Sequence, residues 1–197
     1  MIIKKLAVSL VASLLMIGSA SAAYIKFETR ATNMGVNNAD YLASWNAQTS
    51  SINSQYLTSF NNVKSGGNSH THLQFTFDTA APELVNFRIG LDAGFGGAIY
   101  LNGLEVAKNS NDMWWNYQWH RALSAGGPAN PGVNSIDVYW AEGCCNGGQS
   151  AQIQFGDSQW RDLSGQLPPI AAPEPSVLTL LALGLLGTAG LRRLQDS

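Results

Sequence analysis

From His70 the chain alternates with a period of two: Thr71, Leu73, Phe75 and Phe77 fall on one side, His70, His72, Gln74 and Thr76 on the other. Successive side chains of a strand point to opposite faces, so this pattern commits the segment to half-buried β-structure. The alternation returns in Val85, Phe87, Ile89 and Leu91 and again in Ile136, Val138 and Trp140. Between them a glycine turn, Asp92-Ala93-Gly94-Phe95-Gly96-Gly97, leads into Ala98-Ile99-Tyr100-Leu101, which meets Asn102-Gly103 and returns as Leu104-Glu105-Val106. Asn-Gly tolerates the positive φ of a type I′ turn, the strongest short-range hairpin signal a sequence offers. Tyr24 to Glu28 opens the series as an alternating strand, and Ala151 to Phe155 closes it as the last one. In the polar stretch from Ala31 to Gly67, Asp40 can cap a short helix with Tyr41 or Leu42 and Trp45 on one side; a loop is the alternative. No longer helical period occurs, so the expected fold is all-β, an antiparallel β-sandwich.

Both ends are of a different kind. Lys4 and Lys5 precede an apolar run from Leu6 to Ile17 and the small residues Gly18-Ser19-Ala20-Ser21-Ala22, which reads as a secretory signal peptide cleaved after Ala22. At the other end Pro173-Glu174-Pro175 introduces an apolar run from Val177 to Leu191, followed by Arg192-Arg193. Paired arginines stay on the cytoplasmic side, which leaves the body outside. The run reaches about 22 Å against a hydrocarbon core of roughly 30 Å, so it suits a temporary tether better than a permanent anchor. The chain thus divides into a signal peptide 1–22, a β-sandwich domain 23–167, and a linker with a C-terminal apolar sorting helix 168–197. With 45% of the whole chain apolar, the middle can build a core and disorder is disfavoured. A formal net charge of −2 argues against a nucleic-acid partner.

The tail resembles the PEP-CTERM sorting signal of Gram-negative bacteria that make exopolysaccharide, with the motif Pro173-Glu174-Pro175, the apolar helix and the basic end Arg192-Arg193 in order. The resemblance implies processing by signal peptidase and by an exosortase, and delivery to the cell surface or extracellular matrix, tethered to the membrane through the C-terminal helix. An ordinary membrane anchor is the alternative. Within the body, the order from Phe87 to Phe155 resembles the lectin-like β-sandwich first described in anthrax protective antigen and found in yeast flocculins. It rests on Phe87 to Asp92, the hairpin Ile99 to Val106, the Leu123-Ser124-Ala125-Gly126 turn, and Ile136 to Glu142 before a glycine loop and Ala151 to Phe155. That resemblance implies binding, often of carbohydrate, with Asp92 at the ligand. Calcium-dependent members carry two adjacent aspartates at this place. Here Ala93 follows Asp92, so no cofactor is expected, and calcium stays open as the less favoured alternative.

The most unusual local chemistry is Gly143-Cys144-Cys145-Asn146-Gly147-Gly148, which holds the only two cysteines. An exported chain meets oxidising conditions, so a vicinal Cys144–Cys145 disulfide is the expectation; free thiols, intermolecular crosslinks and a metal site stay open. Neighbouring Cα atoms lie about 3.8 Å apart, closer than most disulfides allow, and such a ring would stiffen its loop and offer a flat apolar sulfur face. The loop Trp114-Trp115-Asn116-Tyr117-Gln118-Trp119 offers indole faces beside amide groups, the division of labour of a sugar site, while Trp119 is expected in the core. The candidate ligand-binding residues are therefore Asp92, Trp114, Trp115, Asn116, Cys144 and Cys145. His70 and His72 could hold a metal with one more ligand, but Gln74 and Thr76 beside them suggest a solvated face. His120 and Asp137 lack a Gly-x-Ser-x-Gly nucleophile, so no enzyme is expected. Two functions remain: a surface module binding polysaccharide or another glycan, and a structural matrix protein acting by self-association or crosslinking.

Overall fold

The computed structural model describes residues 23–145 and 147–165. Twelve strands follow in order: β1 (Tyr24–Ala31), β2 (Asn53–Leu57), β3 (Ser69–Thr79), β4 (Glu83–Gly90), β5 (Asp92–Ala93), β6 (Gly97–Leu101), β7 (Leu104–Asn109), β8 (Met113–Trp114), β9 (Leu123–Ala129), β10 (Gly132–Glu142), β11 (Ser150–Phe155) and β12 (Arg161–Asp162). One helix, α1 (Tyr41–Ala47), and a 3-10 turn, Trp119–Arg121, complete the described elements. A six-stranded sheet runs β2-β1-β3-β10-β6-β7, a four-stranded sheet β12-β11-β4-β9, and β5 pairs with β8. All pairings are antiparallel. The expected signal peptide and the sorting segment, including Pro173, Glu174, Pro175, Arg192 and Arg193, lie outside the described residues. Among the described residues no helix is long and apolar enough to cross a membrane.

The core follows from the alternation. Leu73, Phe75 and Phe77 of the large sheet, with Ile99, Ile136, Val138 and Trp140 on neighbouring strands of that sheet, meet Val85, Phe87 and Ile89 of the small one. Burial of a side chain of this size contributes roughly 1.5–3 kcal/mol, so the period-two pattern carries most of the folding drive. At the hairpin tip between β6 and β7, Asn102 and Gly103 have φ of 51° and 81°, the two left-handed positions that a type I′ turn demands. Two expectations are corrected here. The stretch from Leu123 is an edge strand, not a turn: Pro128 is tolerated because one side of β9 pairs with nothing. And Phe155 does not end the sheet, since β12 pairs beyond β11.

The polar stretch from Ala31 to Gly67 has a clear structural task. Asp40 caps α1 by accepting from Ala43 N at 2.9 Å, as expected, and the helix lays Tyr41 and Trp45 over the outer face of the large sheet. That overturns the solvated-face expectation for the histidines. His70 has no exposed surface and His72 is buried too, both with rings 5.7 Å from Trp45. His72 stacks on Tyr139, with its Nδ1 2.9 Å from Glu28 Oε2 and its Nε2 2.9 Å from Asp137 Oδ1. With a carboxylate oxygen at each ring nitrogen, His72 bridges Glu28 and Asp137. Asp137 is thereby occupied with His72, Gln74 and Ser135.

Candidate functional site

Trp115 anchors the segment that carries Trp114. At 6% exposure, this residue named as a binding candidate is buried, its indole covering Gly90 on the outer face of the small sheet so closely that a Cβ there would fall among the ring atoms. Trp115 N donates to Leu91 O at 3.1 Å, which fixes where β8 leaves the sheet. Neighbouring side chains of an extended segment point to opposite sides, so with Trp115 packed against the sheet Trp114 faces away from it. It does: Trp114 is 79% exposed. Trp119 is not the core residue expected from sequence. Its half-buried ring lies on the outer face of the small sheet, 4.7 Å from the Arg88 guanidinium, which also lies 4.2 Å from the Trp160 ring.

Two carboxylates hold the surrounding loops. Glu142, buried at the end of β10, accepts from Gly94 N at 3.0 Å and from Cys144 N at 2.9 Å, tying the β5 turn to the cysteine loop. Asp92 accepts from Gly147 N at 2.5 Å, closing the same loop from its other side. Cys144 and Cys145 are joined to one another, with Cα atoms 3.8 Å apart. The backbone at this end is unusual: Cys145, Tyr117 and Asn62 have φ of 66°, 63° and 56°, sparsely populated by residues other than glycine. Such positions concentrate at binding sites, where neighbouring contacts hold them. One such contact is Tyr117 OH donating to Asn62 Oδ1 at 2.9 Å.

The result is a cleft of about 350 Å³ lined by Asp92, Gly94, Asp112, Trp114, Glu142, Cys144 and Cys145. It brings together four of the six residues singled out in the sequence. Asn116 and Trp115 lie outside this lining, the first exposed and the second buried. Sequence reasoning missed Asp112 and Glu142. Glu142 carried a signal, a charged residue ending a strand that otherwise runs into the core, while Asp112 in a polar loop carried none. The donor set does not fit calcium, which wants six to eight oxygens. Both Glu142 oxygens accept backbone N–H groups, Asp92 Oδ2 accepts another, and Ala93 is wholly buried in the core where a second carboxylate would be needed.

No family model and no curated protein matches this sequence. Solved structures do. The PA14 domain of the MpAFP antifreeze protein superposes with a TM-score of 0.51 at 13% identity, covering 75% of this chain and 91% of that one. A PA14 sugar-binding domain from an RTX adhesin gives 0.48 at 13% identity over 73% of this chain and 96% of that one. The A domain of Epithelial Adhesin 9 from Candida glabrata, in complex with Galb1-4GlcNAc, gives 0.49 at 10% over 79% and 95%. The superposition on the antifreeze-protein domain, together with the antiparallel two-sheet topology, identifies the fold as a lectin-like β-sandwich of the PA14 type.

Proposed function

We propose that this domain is a non-catalytic binding module for a glycan, taken up in the cleft between Trp114 and the Cys144–Cys145 loop. The observation that carries the reading is Trp114: a large ring held 79% exposed, against its hydrophobic preference, at the wall of a cleft whose other side is a disulfide. An exposed indole offers a face for the C–H side of a pyranose, and among the described residues no group donates to Asp92 Oδ1, which leaves it able to accept from a sugar hydroxyl. The PA14 domain from the RTX adhesin is itself described as sugar-binding. Export to the cell surface or matrix of a Gram-negative bacterium, through an exosortase acting after Pro173-Glu174-Pro175, belongs to this proposal as the route that brings the domain to polysaccharide. The crosslinking form of the structural alternative loses its chemistry, because both cysteines are engaged within the chain.

The experiment is a glycan panel read by tryptophan emission. A bound ring alters the emission of wild-type protein, and Trp114→Ala lowers affinity by about 1–3 kcal/mol, the usual worth of a stacking aromatic at the centre of a site. A glycan bound equally well by Trp114→Ala would remove the cleft from the account.

A further inference from the structure

A second cleft adjoins the first. It measures about 360 Å³ and is lined by Leu91, Asn109, Asp112, Met113, Trp114 and Arg121. Asp112 and Trp114 line both clefts, so the exposed indole stands as the partition between two cavities, each of the size small-ligand sites take, about 300–1,000 Å³. Their charges differ. The first presents the carboxylates of Asp92, Asp112 and Glu142 with no cation, whereas the second presents Asp112 and the guanidinium of Arg121. Arg121 sits at the end of the 3-10 turn, exposed, and among the described residues its side chain makes no hydrogen bond, ion pair or ring contact.

We propose that the two clefts are adjacent subsites for one acidic oligosaccharide. A neutral unit lies between Trp114 and Cys144–Cys145, and a uronate unit lies across the indole with its carboxylate on Arg121. The proposal rests on the glycan-binding reading and adds the ligand's chemical class. The planar guanidinium meets a carboxylate through two parallel N–H···O bonds, which a neutral sugar cannot reproduce. In the first cleft the same carboxylate would face Asp92 and Glu142 with no cation to offset them, whereas a hydroxyl can donate to Asp92. The charges therefore set not only that the ligand is acidic but in which cleft its acidic unit lies.

The test uses disaccharides in matched pairs, each neutral member beside the uronate in which a hydroxymethyl group is a carboxylate, cellobiose and cellobiouronic acid being one such pair. Wild-type protein should prefer the acidic member of the pair it binds by about tenfold at low salt, the scale of a charge-assisted pair, and the preference should shrink as salt is raised. Arg121→Gln should bring the acid-to-neutral ratio to about one, and Arg121→Lys should keep part of it; thermal unfolding verifies that both variants fold. Equal binding of the two members by wild-type protein, or a preference surviving in Arg121→Gln, would overturn the subsite while leaving the Trp114 site in place, provided the neutral members still require Trp114. If no member of any pair alters tryptophan emission, the glycan reading and the acidic subsite fall together.

Discussion

Two adjacent tryptophans take opposite roles for a reason that lies in single residues. Gly90 has no side chain, so the Trp115 indole can lie against the β4 backbone, and once Trp115 is packed there, strand geometry turns Trp114 to solvent. The sequence shows the pair but not which ring goes in, because that choice is made by a glycine more than twenty positions away. The cysteines were more legible, since adjacency alone restricts what they can do. Their bond closes a loop between neighbours and so removes almost no freedom from the unfolded chain, unlike disulfides that close long loops. Replacing both, Cys144→Ser with Cys145→Ser, should shift unfolding by about 1 kcal/mol or less while weakening glycan binding, because the wall of the cleft softens. Chemical denaturation alongside a binding titration checks this. A loss of several kcal/mol would show that the disulfide holds the fold instead.

At the scale of elements, α1 and its flanking strap convert the outer face of a sheet into a second, polar-lined interior. Alternation located β3 correctly but could not say that its other face would be covered, because a period of two fixes which residues share a side and not what lies above it. The cover has a consequence for pH. Burial, with the positive charge of Arg30 adding to it, pushes the His70 imidazole down to about 4, so it is neutral in the folded protein. Burial raises the Glu28 and Asp137 carboxyls, but hydrogen bonds outweigh it, from Lys26 and His72 for Glu28 and chiefly from His72 for Asp137, and hold both below their usual values. Between about pH 6.5 and 4 the unfolded chain takes up a proton at His70 that the folded chain refuses, so stability falls as pH falls through that window. The carboxylates act in the same direction lower down: their contribution is present above the unfolded carboxyl value and is lost as pH drops through their depressed folded values. Neither His70 nitrogen has a hydrogen-bond partner, so His70→Leu should be near neutral at pH 7 and leave the variant about 2 kcal/mol more stable than wild type at pH 5. Unfolding midpoints of the two proteins measured from pH 7 to 4 decide it; parallel curves would show that His70 does not titrate as its burial requires.

For the whole molecule, the sandwich was readable from β3 onward because each core strand announces itself by alternation and the β6–β7 turn by Asn102-Gly103. What lay beyond reading were the short pieces with no period, β5, β8 and the turn at Trp119–Arg121, whose conformation is set by what they pack on. These are the pieces that place Asp92, Asp112, Trp114 and Arg121 at one end of the fold. A scaffold legible in sequence thus carries a site that emerges only in three dimensions, which is how loops on a rigid sandwich commonly serve binding. The central claim is that ligand enters at that end, against Trp114. It is tested most directly by titrating 15N-labelled protein with the best glycan of the panel and following the six indole N–H resonances together with the backbone amides. The account predicts that the Trp114 indole and the amides of Gly94, Cys144, Cys145 and Gly147 shift in a saturable, common titration, while Trp45 and Trp160 stay in place. Saturable shifts confined to the α1 face or to the outer face of the small sheet, with Trp114 unmoved, would contradict it.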